Sequence, residues 1–367
     1  MKFEPRTAFV IDALPAVGGA EKVLFTALEA YPQADVFTLV YNKSSFGNTP
    51  LAGRKIKTSY LDTLPFAHKH HRLLLPLMPS AIERFDLREY DLIISFSYAV
   101  AHGARNYNGA TRHLSYTYTP MRYAWMNLNI NGTRSRKNFL IDNFMAVFRA
   151  WDKKAAARVH QFAAISQAVS QRIHRAYQRE APVIYPPVEV ERFHPNKRRE
   201  DFYITITRLV PHKRVDVIVQ AFSILNLPLL VVGDGAELPR LQKLAMPNIR
   251  FLGYESDEKV AELLGKARGF VCTAEEDFGI AIVEAQAAGC PVIAYGQGGA
   301  LETVIDGETG IHFSEQSVES LIEAVNRFDG NSHFFKPEIL VNNSKRFSKD
   351  GFIKDFLAFV EPSNSGI

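Results

Sequence analysis

Cysteine and tryptophan are scarce in this chain of 367 residues, with two of each. Cys272 and Cys290 both lie inside apolar runs, with neither the spacing of a metal-binding pair nor the density of a disulfide framework. They are expected to be inert core thiols in a reducing compartment. No run of about eighteen apolar residues occurs, so no membrane-spanning helix is expected. The opening MKFEPRTAFVID has too short an apolar run and no small-residue cleavage site to be a secretory signal, and the cytoplasm is the expected location. Close internal repeats and low-complexity segments are absent too, which excludes a repeat array.

What is present is the composition of a soluble globular protein, 47% hydrophobic and 22% charged, long enough for two domains with separate cores. The net charge of +4 is unevenly spread. Residues 1–183 hold 24 Lys and Arg against 13 Asp and Glu, whereas residues 184–367 hold 19 against 26. Either this is ordinary scatter, or the basic half faces an anionic partner such as a phospholipid surface or a phosphorylated substrate. A nucleic-acid partner is not expected.

Short apolar runs alternate with helical patterns throughout. Ala8-Phe9-Val10-Ile11 reads as a strand entering a turn with Gly18 and Gly19, which either is a tight turn only or lets backbone approach a ligand at a helix N-terminus. Asp35–Tyr41, Asp91–Ser97 and His113–Tyr118 read as further strands, the last running into the aromatic turn Thr119-Pro120-Met121-Arg122-Tyr123-Ala124-Trp125. That turn is either a wall for a sugar acceptor or a packed loop. Phe66–Phe85 places three histidines, Lys69 and Arg72 before Leu73-Leu74-Leu75, and is either a membrane-facing amphipathic segment or a helix packed into the domain and broken by Pro76 and Pro79. The stiff pair Pro186-Pro187 suits an inter-domain linker. A second alternating series begins near Phe202. The chain therefore reads as an α/β protein with two doubly wound, Rossmann-like domains facing a cleft.

Chemistry-bearing residues collect at strand ends of the second half: Arg208 with Lys213, then Gly233-Asp234-Gly235, then Glu276 before the helix that starts near Gly279. Two cations five residues apart beside a helix N-terminus are suited to a diphosphate. Carboxylates are suited instead to neutral hydroxyls, since they only accept hydrogen bonds. Glu276 and Glu284, eight residues apart, can reach two groups of one long ligand. A sugar nucleotide has such parts: a sugar, a diphosphate and a ribose.

The stretch EEDFGIAIVEAQAAG resembles the Glu, seven residues, Glu motif of retaining glycosyltransferases of the GT-B fold, family four. TRLVPHKRVD, YPPVE, VVGDGAEL, GGALETVIDGETG and the N-terminal GGAEKVL are similar to the same family in the same order, and HLSYTYTPMRYAW resembles its mannosyltransferase-like branch, which assembles bacterial surface polysaccharides. The resemblance covers nearly the whole chain. It implies a GT-B fold with an acceptor-binding domain over 1–184, a nucleotide-sugar domain over 185–345 and a C-terminal helix over 346–367 that returns to the first domain.

By the same resemblance, Arg208 and Lys213 hold the donor diphosphate, Glu276 the donor sugar and Glu284 the nucleotide ribose. Phe278, Gly279 and Ile280 bring backbone amides to the phosphates, Gly18 and Gly19 approach the diphosphate from the N-terminal domain, and Gly233, Asp234 and Gly235 lie near the base. Glu21, Tyr116, Arg122 and Tyr123 fall on the acceptor side. Tyr118 stands where the family usually carries a histidine near the reacting sugar, and Met126 where it carries an aspartate; a tyrosine, with an ordinary pKa near about 10, is a poor base. No Asp-x-Asp metal motif occurs, so neither metal nor cofactor is expected. The implied activity is retaining transfer of a hexose, with mannose from GDP-mannose first and a UDP-linked donor next, to a lipid-linked or growing glycan, with peripheral contact at the inner membrane face. The alternatives are a nucleotide-sugar epimerase of the same fold, or a catalytically silent sugar-nucleotide or glycan-binding subunit.

Overall fold

The structure is a computed structural model that describes residues 5–105, 109–125, 139–196, 198–331 and 334–361. Twelve strands among them form two parallel sheets of six. The first contains β1 (Thr7–Ile11), β2 (Asp35–Thr38), β3 (Ile56–Thr58), β4 (Leu92–Ser97), β5 (Arg112–Thr117) and β6 (Gln161–Ala164), in the order β3-β2-β1-β4-β5-β6. The second contains β7 (Tyr203–Ile206), β8 (Leu229–Val232), β9 (Ile249–Gly253), β10 (Gly269–Cys272), β11 (Val292–Tyr295) and β12 (Gly310–Phe313), in the order β12-β11-β10-β7-β8-β9. Numbered within itself, each sheet has the doubly wound order 3-2-1-4-5-6, whose switch point lies between the first and fourth strands. The central strands β1, β4 and β10 are short, fully buried and mostly apolar, as helices on both faces of a parallel sheet require.

The chain divides into two compact units, Met1–Tyr185 with Phe352–Ile367, and Pro186–Gly351. In the first, the core gathers Val10, Phe37, Ile82, Phe85 and Ile93. The helix Lys349–Val360 enters this unit at Phe352 and stacks Phe352 on Phe356, 5.3 Å between ring centroids. Both rings pack on Tyr116, and Phe356 also stacks on Phe96. Arg112 reaches the carbonyl of Val360 at 2.5 Å, a cation at a helix C-terminus. The core of the second unit is built on Phe222, Val231, Val271, Ile293 and Phe328.

The segment after Phe66 is broken into the short helix Ala67–His70, a 3-10 stretch His71–Leu77 that contains Pro76, and the helix Met78–Ile82. Leu75, Met78, Ala81 and Ile82 are buried, whereas Phe66, Leu73 and Leu77 are exposed. Part of the segment therefore packs into the domain, as one of the two sequence readings has it. Asp62 pairs with His68 at 3.1 Å. No helix among the described residues is long and apolar enough to cross a membrane.

Candidate functional site

In the second unit the loops after β7, β8 and β10 carry the candidate donor residues. After β7 the chain turns through a short 3-10 segment, Pro211–Lys213, and Arg214 takes a left-handed conformation (φ 51°) before the helix Val215–Leu225. This reversal leaves Arg208 exposed and aims Lys213 at Glu276. The Lys213 ammonium donates to both carboxylate oxygens of Glu276, at 2.6 and 2.7 Å, with the side chains only 16% and 20% exposed. So little water around the pair makes its attraction considerably stronger than that of a surface ion pair.

The scaffold behind this pair is tight. The hydroxyl of Thr273, just past β10, lies 3.0 Å from the Lys213 carbonyl and 2.9 Å from that of Arg214, fixing one loop to the other. Gly299 N–H donates to the Glu276 carbonyl at 2.8 Å. A Cβ at Gly298 would come within 2.3 Å of that same carbonyl oxygen, and Gly298 is left-handed (φ 63°). The paired glycines therefore allow two backbones to meet where a side chain would force them apart. Beneath lies the buried thiol of Cys272, pushed up to about 12, first by burial and then by the neighbouring Glu276.

Gly279 (φ 94°) caps the helix Ile280–Ala287, and the first amides of a helix lack intrahelical acceptors, which suits the strand-end position to an anion. Phe278 is buried and packs edge-on against Phe347, so it contributes backbone rather than side chain here. Glu284, on the same helix, pairs with Arg192 at 3.2 Å. After β8, Gly233 (φ 125°) passes so close to the β7 loop that a Cβ would lie 1.9 Å from the Thr207 carbonyl oxygen. Asp234 accepts at its carbonyl from Leu209 N–H, while its carboxylate accepts from Gly235 N–H at 2.6 Å. The structure thus brings Lys213 together with Glu276, and sets Glu284 in a different ion pair.

In the first unit, Gly18 precedes the helix Gly19–Ala30, and a Cβ on Gly18 would lie 3.0 Å from the carboxylate of the buried Glu21. Tyr118 is buried, its hydroxyl donates to the Ala20 carbonyl at 2.8 Å, and burial drives its pKa well above the ordinary value. It is therefore a tie for the glycine turn and neither an available acid nor a base. Tyr116, expected on the acceptor side, is instead a core residue: fully buried, packed on Phe96, Phe352 and Phe356, with its hydroxyl donating to the Ile184 carbonyl. Aromatic richness marks core and sugar walls alike, which is why sequence did not separate them. Arg122 and Tyr123 lie on the short helix Arg122–Trp125; Met126 falls outside the described residues.

Two features of this unit had no sequence signal. The Asp12 carboxylate, fully buried just after β1, accepts from the backbone N–H groups of Tyr98, Ala99, Val100 and Ala101 at 2.6, 3.0, 2.5 and 2.7 Å. Burial raises its pKa, opposed by those amides. Buried Asp152 accepts from Trp125 Nε1 at 2.7 Å and from the Tyr177 hydroxyl at 2.9 Å, and lies 3.0 Å from His102, whose other nitrogen meets Ser97 Oγ. With all three of its Ser, His and Asp members buried, that chain serves the core.

Two doubly wound parallel sheets with ligand-competent strand ends define the GT-B class of glycosyltransferase. The Anabaena protein HepE in complex with UDP and glucose superposes with a TM-score of 0.72 at 18% identity, over 97% of this chain and 99% of that one. Sucrose-phosphate synthase from Thermosynechococcus elongatus gives 0.75 at 18% identity, over 96% and 98%. Residues 17–192 match the model of Glycosyltransferase Family 4, and residues 188–347 that of Glycosyl transferases group 1. The two models together span residues 17–347, so the chain is a glycosyltransferase, with family 4 matched over its N-terminal half. Among its curated relatives, an uncharacterized glycosyltransferase of Methanocaldococcus jannaschii is 28% identical over 206 residues, 55% of this chain and 58% of that protein. A GDP-mannose-dependent alpha-(1-6)-phosphatidylinositol monomannoside mannosyltransferase of Mycobacterium tuberculosis is 32% identical over 170 residues, 38% of this chain and 44% of that protein. In both cases the match spans less than two thirds of the relative.

Proposed function

We propose that this glycosyltransferase moves a hexose, with mannose from GDP-mannose as the leading donor, onto a lipid-linked or growing glycan, with retention of anomeric configuration and without a metal. The observation that carries the reading is the Lys213–Glu276 pair at the strand ends of the second sheet, beside a helix N-terminus at Gly279. The mannosyltransferase relative supports GDP-mannose, and the Anabaena complex, which holds UDP and glucose, supports UDP-glucose as the competing donor.

In this reading the donor divides the pair. The Lys213 ammonium turns to the diphosphate together with Arg208, and Glu276 accepts from the sugar hydroxyls. Glu284 takes the ribose hydroxyls, Gly279 and Ile280 supply amides to the phosphates, and the turn of Gly233, Asp234 and Gly235 lines the base. As the bond between anomeric carbon and diphosphate oxygen breaks, the growing negative charge is met by these two cations and by the helix-terminal amides. The acceptor oxygen bonds to the anomeric carbon on the face just vacated and passes its proton to the departing diphosphate. The first unit recognises the acceptor through the turn at Arg122 and Tyr123. Exposed Phe66, Leu73 and Leu77 beside Lys69 and Arg72 support docking on an anionic bilayer, where a lipid-linked acceptor resides.

Lys213→Ala is expected to lower kcat/KM for a radiolabelled donor roughly 100-fold, and Glu276→Ala to abolish transfer and slow donor hydrolysis. If Lys213→Ala and Glu284→Ala both fold and still bind GDP and UDP with unchanged affinity by calorimetry, the site is misassigned. Product analysis separates the alternatives: an epimerase returns an altered sugar nucleotide without transfer, and a silent binding subunit binds nucleotide without releasing sugar.

A further inference from the structure

Arg192 ends the 3-10 turn Val190–Arg192, the first structured turn after the paired prolines. Its guanidinium forks between two helices. One nitrogen meets Glu284 at 3.2 Å, and the other pairs with Asp257, the first residue of the helix Asp257–Lys266. The plane lies over the buried Phe193 ring, 4.7 Å from its centroid, and the Arg192 and Glu284 side chains are only 22% and 14% exposed. A planar cation held by a ring beneath it and a carboxylate on the far side has little freedom of its own. Whatever it grips is held in one place.

We infer that Arg192 is the positioning residue for Glu284, fixing its carboxylate so that the enzyme distinguishes a ribose from a sugar lacking its hydroxyls. The inference rests on the reading of Glu284 as the ribose acceptor. A glutamate has three rotatable torsions, and an unheld one must lose that freedom each time a nucleotide binds. A carboxylate offers about four acceptor positions, so the contact with Arg192 leaves capacity for hydroxyls while setting their direction. Lysine is a poor substitute, because a single ammonium does not span both Asp257 and Glu284 with the geometry of a fork.

The test uses the full chain and two matched pairs of probes, GDP against 2′,3′-dideoxy-GDP and UDP against 2′,3′-dideoxy-UDP, titrated by calorimetry. Wild-type protein is expected to bind the ribose form of its preferred nucleotide about tenfold or more tightly than the dideoxy form. Arg192→Met should bring that ratio to within about twofold of unity, by weakening the ribose form and leaving the dideoxy form nearly unchanged. A residue that merely pinned the turn would weaken both forms together. If Arg192→Met fails to fold, Arg192→Lys is read by the same ratio, which should fall at least about threefold. A ratio in the folded variant equal to that of wild type overturns the role of Arg192. Wild-type protein that binds both forms alike overturns the ribose reading of Glu284 instead, so the two failures are told apart.

Discussion

The two units share one strand order and use its switch point in opposite ways. In the second unit, the loops after β7 and β10 meet through an ion pair, Lys213 with Glu276, that a ligand can divide. In the first, the equivalent loops after β1 and β4 are joined by Asp12, whose carboxylate holds four consecutive backbone amides. Tyr98 and Tyr118 close the same region by donating to the carbonyls of Ala13 and Ala20. Buried carboxylates and histidines follow this division. Among the described residues, Asp12, Glu21, His102, His113 and Asp152 are buried in the first unit, while the buried polar side chains of the second are Thr, Ser, Asn and Gln. One topology thus gives a switch point locked by internal hydrogen bonds and another held by a separable pair.

The largest effect that would sharpen this contrast is expected from Asp12→Ala. It removes the acceptor of four amides, a loss of about 4 kcal/mol from the first unit, read as a lower guanidinium midpoint. GDP or UDP binding by the second unit should persist. A loss below about 1 kcal/mol would break the comparison.

Acid should then divide the units. His113 is fully buried with Nε2 3.0 Å from Ser95 Oγ, and burial, followed by the neighbouring His102, pushes its pKa from 6.5 down to about 3. Below 6.5 the unfolded chain takes up a proton that the folded one refuses until about 3, so stability falls as the pH drops through that window. The slope is about 1.4 kcal/mol per pH unit, which amounts to about 3 kcal/mol at pH 4.5. His113→Gln should flatten this dependence in urea titrations of the first unit; an unchanged slope assigns the acid sensitivity elsewhere.

The smallest effect belongs to Tyr118→Phe, which loses one buried hydroxyl contact at Ala20 and about 1 kcal/mol of stability. Nucleotide affinity should not move. A hundredfold loss of turnover at full stability would make Tyr118 catalytic rather than a tie.

Much of this architecture was legible as short apolar runs between glycine and proline turns, because a buried parallel strand needs little more. The strand Ile56–Thr58 was not, being three residues at a sheet edge, nor was the helix Pro337–Ser344, whose apolar pattern is weak. At the site, Arg208, Lys213, Glu276 and Glu284 stood out because charges at strand ends are conspicuous. The grip of Arg192 on Glu284, 92 positions away, and the amide cluster around Asp12, 86 to 89 positions away, left no trace. Such pairings exist only once the sheets have formed. Tyr116 misled for a related reason: it lies on β5 two residues before Tyr118, which follows the strand's end, and only the arrival of Phe352 and Phe356 makes its surroundings core.

That arrival also sets an order of events. The second unit is one unbroken stretch, Pro186–Gly351, inserted into a first unit whose final segment begins at Phe352. On the ribosome the part synthesised first is therefore completed last, since the rings that cover Phe96 and Tyr116 emerge only after all of the other domain has been made. Until then the face of Phe96 and Tyr116 lacks the rings that cover it in the finished unit.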